Sequence, residues 1–325
     1  MRCIVTGANG FVGSHLMDTL AREGHEAVAY VRPGSSTRWL EGKQITLCRG
    51  TLDDGEALRQ AFSGADVVFH VAGVVNALDH EGYFKVNARG TRAAAQAFLD
   101  ACPEAHRFVL VSSLSVVGPS DVPVTEETEC RPMNLYGESK LAGEQEARSF
   151  APMLPLSIVR PGPIYGPRDR EALPLLQQAS LGLRVKVGFA DNVSNFCHVE
   201  DVVQGALLCA TRDEALGQTF MIGGAENYTL DELGRLLVRA LRGGEGVPLW
   251  VPVTAIHAAG LAGELWSRLR RAPAGFNMDR ARMLTAGSWP MDISKARRLL
   301  GYEPRWDLAE GARQTVAWAR ENGWM

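Results

Sequence analysis

The chain has 325 residues, 46% of them hydrophobic and 22% charged, with a formal net charge of -3 at pH 7. This composition is typical of a globular protein, and the slightly negative charge excludes a basic surface of the kind that binds nucleic acid. No apolar run reaches the ~20 residues that span a bilayer, and a predicted strand starts the chain at once. The six cysteines form no C-x-x-C pair, which predicts free thiols and no metal site. We therefore expect a cytoplasmic protein without a membrane span.

The first half of the chain alternates between strand-like and helical segments. The predicted strands are "CIVT", "EAVAYV", "ITLCRG", "DVVFHVAG", "RFVLVSS" and "LSIVRPG". Helical patterns begin at Phe11, near Glu56 and at Leu135, and a long one covers 84–101. Continuous apolar strands separated by helices predict an α/β fold with a doubly wound parallel sheet, in which ligands bind at the carboxyl ends of the strands.

This regularity ends near Gly162, where prolines become frequent. Helices from Asp201 and Leu230 flank a short strand, "TFMIGG", while "RGGEGVPLWVP" is predicted to be a loop and 258–269 an amphipathic helix. We therefore divide the chain into a sheet domain, residues 1–162, and a smaller C-terminal lobe, residues 163–325. The lobe would mainly bind the substrate and would return some segments to the sheet.

Three glycines, Gly7, Gly10 and Gly13, lie in the turn between the first strand and the first helix. A tight bend and a close approach of the backbone to another group both exclude a Cβ atom. At a strand-to-helix turn that group is often a phosphate, because free N–H groups and the helix dipole favour an anion. A glycine-rich loop without a ligand is the alternative at this point.

Tyr136 and Lys140 lie four residues apart in "NLYGESKLAGE", a helical segment, so both side chains project from one face. A phenol with a pKa near ~10 exchanges protons poorly at neutral pH. A nearby ammonium group lowers that pKa, and Tyr136 could then act as a general acid or base on a carbonyl or an alcohol. The alternative is an ordinary solvated helix face.

Hydroxyl groups end the preceding core strand in "FVLVSSLSVVG", at the edge where a doubly wound sheet presents catalytic groups. Ser112, Ser113 or Ser115 could hold a substrate oxygen beside the phenol. Each of them could equally satisfy the backbone of the loop.

Seven motifs occur in the order and spacing of the extended short-chain dehydrogenase/reductase family: "TGANGFVG", "HVAG", "VNARGT", "SSLSVVG", "YGESK", "RPGPIYGPR" and "HVEDVV". The C-terminal "SKARRLLGYEPRWDLAEGARQTVAW" is similar to the usual ending of that family, so the resemblance covers essentially the whole chain. The resemblance implies a Rossmann fold that binds a nicotinamide dinucleotide, with 1–162 as the dinucleotide-binding domain.

The resemblance also implies roles for residues in these motifs. Tyr136 would be the catalytic acid or base, and Lys140 would lower its pKa and bind the nicotinamide ribose. Ser113 would hydrogen-bond to the reacting oxygen, and Asn87 would shape the backbone near the cofactor. Further cofactor contacts would come from Gly7, Asn9, Gly10, Phe11, Val12, Gly13, Val71, Ala72, Gly73 and Pro161.

The favoured cofactor is NADP(H), with NAD(H) as the alternative. An acidic residue near the end of the second strand would bind the adenosine ribose of NAD. Arg32 stands there instead, and a guanidinium group suits a 2′-phosphate, with Ser35 or Ser36 as helpers. The "GD" that the family usually has after the third strand reads "GT" here, which leaves Asp53 as the candidate for the adenine contact.

Substitutions within the motifs bear on the reaction. Sugar-nucleotide dehydratases of the family carry an Asp-Glu pair where this chain has Leu114 and Ser115, so dehydration is disfavoured. Nucleotide-sugar epimerases usually have an Asn and an Arg where this chain has Pro163 and Ser194, and a diphosphate would lose charge-assisted hydrogen bonds. We assign Ser115 and Pro163 to the substrate site. The pattern is closer to dihydroflavonol reductases and 3β-hydroxysteroid dehydrogenases, which act on bulkier, less charged molecules.

The predicted function is therefore an NADP(H)-dependent oxidoreductase that reduces a ketone or oxidises a secondary alcohol on a bulky, weakly charged small molecule. An NAD-dependent nucleotide-sugar epimerase is the alternative. A cofactor-binding regulatory protein is a third, disfavoured because Ser113, Tyr136 and Lys140 are all present. The family often forms a homodimer through the helix that carries Tyr136. Apolar residues that could line the substrate lobe are Leu249, Trp250, Val251, Ile256, Leu261, Leu265 and Trp266.

Overall fold

The fold is given by a computed structural model that describes residues 1–102, 104–188, 191–270, 272 and 274–325. All six cysteines lie within these ranges and carry free thiols. Across the same ranges, no helix combines the length and the hydrophobicity that a bilayer crossing requires.

A parallel sheet of seven strands forms the centre of the molecule, in the order β3-β2-β1-β4-β5-β6-β11. The strands in chain order are β1 (Arg2–Thr6), β2 (Glu26–Val31), β3 (Ile45–Arg49), β4 (Val67–His70), β5 (Arg107–Val111), β6 (Leu156–Pro161), β7 (Ile164–Tyr165), β8 (Leu183–Val187), β9 (Val193–Ser194), β10 (Cys197–His198), β11 (Thr219–Ile222), β12 (Tyr228–Thr229) and β13 (Val247–Val251). The strand order reverses between β1 and β4, which opens a crevice at their carboxyl ends. The predicted doubly wound fold is confirmed.

The helices pack either on the two faces of this sheet or on one another outside it. They are α1 (Phe11–Arg22), α2 (Gly55–Phe62), α3 (His80–Phe84), α4 (Gly90–Ala101), α5 (Leu135–Arg148), α6 (Leu173–Ser180), α7 (Val199–Thr211), α8 (Leu230–Arg242), α9 (Val253–Arg270), α10 (Met278–Thr285), α11 (Ser294–Leu300) and α12 (Leu308–Glu321). A turn of π-helix, Lys85–Arg89, joins α3 to α4 and makes one helical stretch where the sequence predicts 84–101.

The core lies on both sides of the sheet because successive strand residues point to opposite faces. In β1, Cys3 and Val5 pack with Met17 of α1 on one face, while Ile4 packs with Phe62 of α2 on the other. All five side chains are fully buried. Burial on both faces explains why the strands are continuous apolar runs in the sequence.

Residues 163–325 contribute β11 to the central sheet, and the part of this range outside the sheet, which we call the second lobe, contains a two-stranded parallel pair, β8 with β13. The prediction of a loop over "RGGEGVPLWVP" was therefore wrong, because its second half forms β13. Gly243 and Gly246, both with positive φ, end α8 and turn the chain into the strand. Pro248 is tolerated there because the pair consists of edge strands, where a missing N–H can face away from the partner. The predicted helix over 258–269 is confirmed as part of α9.

A buried ion pair ties α5 to the central sheet. Arg160 of β6 donates hydrogen bonds from Nε and Nη2 to the two carboxylate oxygens of Glu144, at 2.8 and 2.7 Å. The two side chains are 5% and 1% exposed. A bidentate guanidinium–carboxylate pair fixes both distance and orientation, so this contact holds α5 in register with β6.

We expect Glu144→Ala to lower the free energy of unfolding by ~3–5 kcal/mol, because it leaves the Arg160 charge buried without its partner. Urea unfolding followed by circular dichroism measures this loss. Glu146→Ala on the same helix is the matched control, since its ion pair with Arg92 lies at the surface and should cost less than ~1 kcal/mol. Equal, small losses in both variants would contradict the structural role of the buried pair.

Candidate active site

A cleft of about 2290 Å³ runs along the carboxyl edge of the sheet and below the second lobe. Apart from the apolar residues predicted for the C-terminal lobe, it brings together the predicted site residues other than Asn87 and Ser35. The residues that line it are Gly7, Asn9, Gly10, Phe11, Val12, Gly13, Arg32, Asp53, Val71, Ala72, Gly73, Ser113, Ser115, Tyr136, Lys140, Pro161 and Pro163.

The glycine-rich turn lies at the floor of this cleft. Gly7 has a φ of +69°, and a Cβ there would lie 2.8 Å from the Cα of Ala72 at the end of β4. A Cβ on Gly13 would overlap the carbonyl oxygen of Gly7. Gly10 precedes α1 and provides no side-chain cap, which leaves the helix N-terminus open to the cleft. This cradle without side chains fits the pyrophosphate of a dinucleotide, because N–H groups and the helix dipole point at it.

The side chains of Tyr136 and Lys140 project from the first two turns of α5. Asn134 is the N-cap residue of this helix. The Asn134 side chain accepts a 2.8 Å hydrogen bond from the N–H of Gly137. Burial of the phenol raises the pKa of Tyr136, and a hydrogen bond with Ser113 opposes this shift. The Ser113 hydroxyl is held in place by the N–H of Ser115, which donates to it at 3.1 Å.

Lys140 lies one helical turn after Tyr136 on α5, and its ammonium group is anchored to the sheet. Its Nζ donates to the carbonyl oxygen of Val111, at 2.7 Å, at the end of β5. The side chain is only 6% exposed, and burial lowers the pKa of Lys140 to about 8. The ammonium group also lies beside Gly73, where a Cβ would come within 3.6 Å of Nζ.

Asn87 lies behind the wall of the cleft and does not line it. Its side-chain oxygen accepts from the N–H of Val74 at 2.9 Å, and its amide donates to the carbonyl of Val74 and to the hydroxyl of Ser139 at 3.0 and 2.9 Å. The residue sits on the π-helical turn, a distortion that is frequent at functional sites. Asn87 therefore clamps the loop after β4 against α5 and shapes its backbone.

The far end of the cleft, beyond the glycine-rich turn, is lined by Arg32 and Asp53. The Arg32 side chain is exposed, and no carboxylate in the described ranges forms an ion pair with it. Asn9 donates to the carbonyl of Ser36 at 2.9 Å and so fixes the loop next to Arg32. Asp53 forms an ion pair with Lys85 at 3.1 Å. Hydrogen bonds from Thr51 and Lys85 lower the pKa of Asp53 to about 2.

Two acidic residues of the cleft, Asp279 and Asp169, were not predicted from the sequence. Asp279 comes from α10, and its carboxylate accepts hydrogen bonds from the N–H groups of Leu135 and Tyr136 at 2.9 and 3.3 Å. Asp279 thus provides acceptors for N–H groups at the N-terminus of α5, although it lies 143 residues from Tyr136 in the sequence. Asp169 follows the "RPGPIYGPR" motif and is 7% exposed; burial raises its pKa to about 7. The position of Asp169 directly after this motif is the feature by which the sequence could have pointed to it.

The second lobe covers the cleft with mostly apolar side chains, among them Val185, Val187, Phe196, Leu233, Ile256, Phe276, Met283 and Trp289. Of the seven apolar residues predicted to line it, only Ile256 does so among the residues that the structure describes. Leu249, Trp250, Leu261, Leu265 and Trp266 are 45–54% exposed. Charged residues line the same part of the cleft as well: Arg168, Asp169, Arg170, Glu171, Asp279 and Arg280.

The sheet order, the glycine-rich cradle and the cleft define a dinucleotide-binding enzyme of the Rossmann type. The profile of the NAD dependent epimerase/dehydratase family matches residues 3–223. The chain belongs to this family, which confirms the resemblance to extended short-chain dehydrogenases/reductases, and it is an NAD(P)-dependent enzyme.

Curated relatives and solved structures resemble the chain over nearly its whole length. It is 33% identical to a ceramide reductase of Caulobacter vibrioides over 322 residues, which cover 99% of the chain and 95% of the relative. It is 30% identical to a 4-hydroxy-2-methyl-3-oxo-4-farnesyl-3,4-dihydroquinoline-1-oxide ketoreductase of Stigmatella aurantiaca, covering 94% and 92%. The structure is similar to that of gox2253, with a TM-score of 0.82, 28% identity and 99% of each chain covered. It also resembles MoeE5 in complex with UDP-glucuronic acid and NAD, with a TM-score of 0.77, 25% identity, and 99% and 100% covered.

We expect Asp279→Ala to lower the free energy of unfolding by ~1–3 kcal/mol, because two N–H groups of α5 lose a charged acceptor. Asp279→Asn keeps one acceptor oxygen and should lose less than the alanine variant. Urea unfolding of both variants beside the wild type measures the difference. If both variants unfold at the wild-type midpoint, the carboxylate does not support α5.

Proposed function

We propose that the chain is an NADP(H)-dependent oxidoreductase that interconverts a ketone and a secondary alcohol on a bulky, lipid-like molecule. The observation that carries the proposal is one cleft that holds three features: an open helix N-terminus, a phenol hydrogen-bonded to a serine, and an apolar cover. Residues 1–162 would bind the cofactor, and residues 163–325 would mainly bind the substrate.

Cofactor binding would use the groups along the floor of the cleft. Gly7, Gly10 and Gly13 would admit the pyrophosphate to the N-terminus of α1. Arg32, exposed and near the end of β2, would pair with a 2′-phosphate, which distinguishes NADP from NAD. Phe11, Val12, Val71, Ala72, Gly73 and Pro161 would contact the remainder of the cofactor, and Lys140 would hold the nicotinamide ribose. A bound nicotinamide supplies the hydride to the substrate carbon or accepts it from there.

Proton transfer would fall to Tyr136. Because burial raises its pKa, the phenol is protonated at neutral pH and can donate to the oxygen of a ketone. Ser113 would hydrogen-bond to the same oxygen, and the two hydroxyls would stabilise the negative charge that develops on it. Lys140, with a pKa of about 8, carries a positive charge at pH 7 and favours the phenolate left after transfer. These are the protonation states that the reduction of a ketone requires.

The substrate class is supported by the lining of the cleft and by the relatives. Pro163, Ser115 and the apolar side chains of the second lobe would contact an uncharged part of the substrate. Of the charged residues that also line the cleft, Arg168 is paired with Asp18 and Arg280 with Glu171. A ceramide reductase and a farnesyl-quinoline ketoreductase are both similar to the whole chain, and both names describe reduction of a molecule with a long apolar part.

A nucleotide-sugar epimerase is the second candidate, favoured by the similarity to MoeE5 with its UDP-sugar and NAD. Pro163 and Ser194 both line the cleft where an epimerase of this family usually has amide and guanidinium groups. A diphosphate would therefore find fewer charge-assisted hydrogen bonds here. This difference supports the reductase.

We expect Tyr136→Phe to lower kcat for ketone reduction by ~100-fold or more, since the proton donor is lost while the cofactor site is intact. Steady-state kinetics with NADPH measures kcat, and calorimetric titration checks that NADPH binding changes less than threefold. Tyr83→Phe, a buried phenol outside the lining of the cleft, is the control and should retain turnover. A Tyr136→Phe variant with more than a tenth of wild-type kcat would remove Tyr136 from the mechanism.

We expect the wild type to bind NADPH at least tenfold tighter than NADH, and Arg32→Ala to abolish that difference, because the guanidinium contacts only the 2′-phosphate. Calorimetric titration of both nucleotides measures the preference. Arg22→Ala, an exposed arginine at the end of α1, is the control and should keep it. Tighter binding of NADH by the wild type would overturn the NADP(H) assignment and favour the epimerase.

A further inference from the structure

Helix α9 packs on the second lobe through its smallest residues. A Cβ on Gly260 would lie 2.8 Å from the Cβ of Ala281 in α10, and a Cβ on Gly263 would overlap the carbonyl oxygen of Phe276. Gly260 and Ser267 are the buried residues of the helix. A helix of a globular domain normally turns its large apolar side chains inward. In α9 that pattern is inverted.

The large apolar side chains of α9 lie on its outer face. Leu261, Leu265, Trp266 and Leu269, which we call the α9 patch, are 54%, 52%, 53% and 80% exposed. Their spacing of four, five and eight residues from Leu261 places them on one side of the helix. A continuous exposed apolar face of this kind marks an interaction surface rather than scattered surface leucines.

Two arginines in the last turn of α9, Arg268 and Arg270, flank the α9 patch. The helix carries one acidic residue, Glu264, so its formal charge is positive whereas the complete chain carries -3. The guanidinium group of Arg270 lies 4.4 Å from the centre of the Trp266 ring. Arg268 is 71% exposed and forms an ion pair with Glu264 on the same helix. Apolar side chains, a tryptophan and flanking arginines are the composition that binds the interface of an anionic bilayer.

The inward face of α9 and the neighbouring α10 contribute to the wall of the cleft. Ile256, at the start of α9, lines the cleft, as do Met283 and Leu284 of the neighbouring α10. Leu284 is also 39% exposed, so apolar surface continues from the cleft lining to the outside. Leu284 therefore provides apolar surface between the cleft and the outside, on the helix that packs against α9.

We propose that α9 docks the protein on the surface of an anionic phospholipid bilayer, with the α9 patch in the interface and the flanking arginines on the headgroups. The helix would lie in the plane of the membrane, since no described helix meets the requirements for a bilayer crossing. The further step, that docking delivers an apolar substrate to the cleft, rests on the proposed function.

The test is flotation of the intact protein with vesicles of phosphatidylcholine alone or mixed with phosphatidylglycerol. We expect the wild type to float with the anionic vesicles, and added salt to weaken binding because screening reduces attraction to the headgroups. Leu265→Ser combined with Leu269→Ser should reduce partitioning at least tenfold. Val122→Ser combined with Met153→Ser, at residues 67% and 68% exposed elsewhere, is the matched control and should bind as the wild type does.

Absence of wild-type flotation, or equal flotation of the patch variant and the wild type, would overturn the proposal. Light scattering on the same samples tests the alternative that a second copy of the chain covers the α9 patch. If the wild type is a dimer that does not bind vesicles, and the patch variant is a monomer, the patch is an interface between two copies and membrane docking is overturned. Turnover of a water-soluble ketone, measured in parallel, separates the two claims. Docking without turnover would overturn the proposed function alone, and turnover without docking would overturn the membrane-docking proposal alone.

Discussion

The site depends on a contact between two stretches of backbone, Gly7 after β1 and Ala72 after β4. These strands lie on either side of the point where the strand order reverses, and their ends approach so closely that no Cβ fits at Gly7. The same close approach extends into α1, because a Cβ on Gly13 would overlap the carbonyl oxygen of Gly7. The cleft, the open helix end and the position of every group along its floor follow from this approach.

Helix α5, which carries Tyr136, is fixed both to the central sheet and to α10 of the second lobe. The buried pair of Glu144 and Arg160 joins its inner side to the sheet, while Asp279 of the second lobe holds its N-terminus beside Tyr136. Asn87 binds Ser139 on the same helix and Val74 on the loop below. The phenol is thus positioned by groups from three separate regions of the chain, which is how a reactive side chain is kept in one geometry.

Most of the sheet and the floor of the cleft can be predicted from the sequence, because both depend on patterns within short segments of the chain. Strands that are buried on two faces are apolar runs, and the glycines of the turn, Gly7, Gly10 and Gly13, lie within seven residues of one another. Asp279 could not be found, since its partners lie far away in sequence and a lone carboxylate has no local signature. The sequence predicts a loop in place of β13 because glycine and proline surround that strand. The outward face of α9 shows no difference in pattern from a core helix, and only packing of Gly260 against α10 reveals its direction.

The central claim is that this cleft transfers hydride and a proton to a ketone, and isotope transfer tests it most directly. The wild type is incubated with NADPH carrying deuterium at the transferable nicotinamide position and a panel of long-chain and polycyclic ketones, and the products are analysed by mass spectrometry. The account predicts an alcohol with a single deuterium on the carbinol carbon, formed in proportion to NADPH consumed. Epimerisation of a nucleotide sugar without net consumption of cofactor, and no labelled alcohol from any ketone, would contradict it.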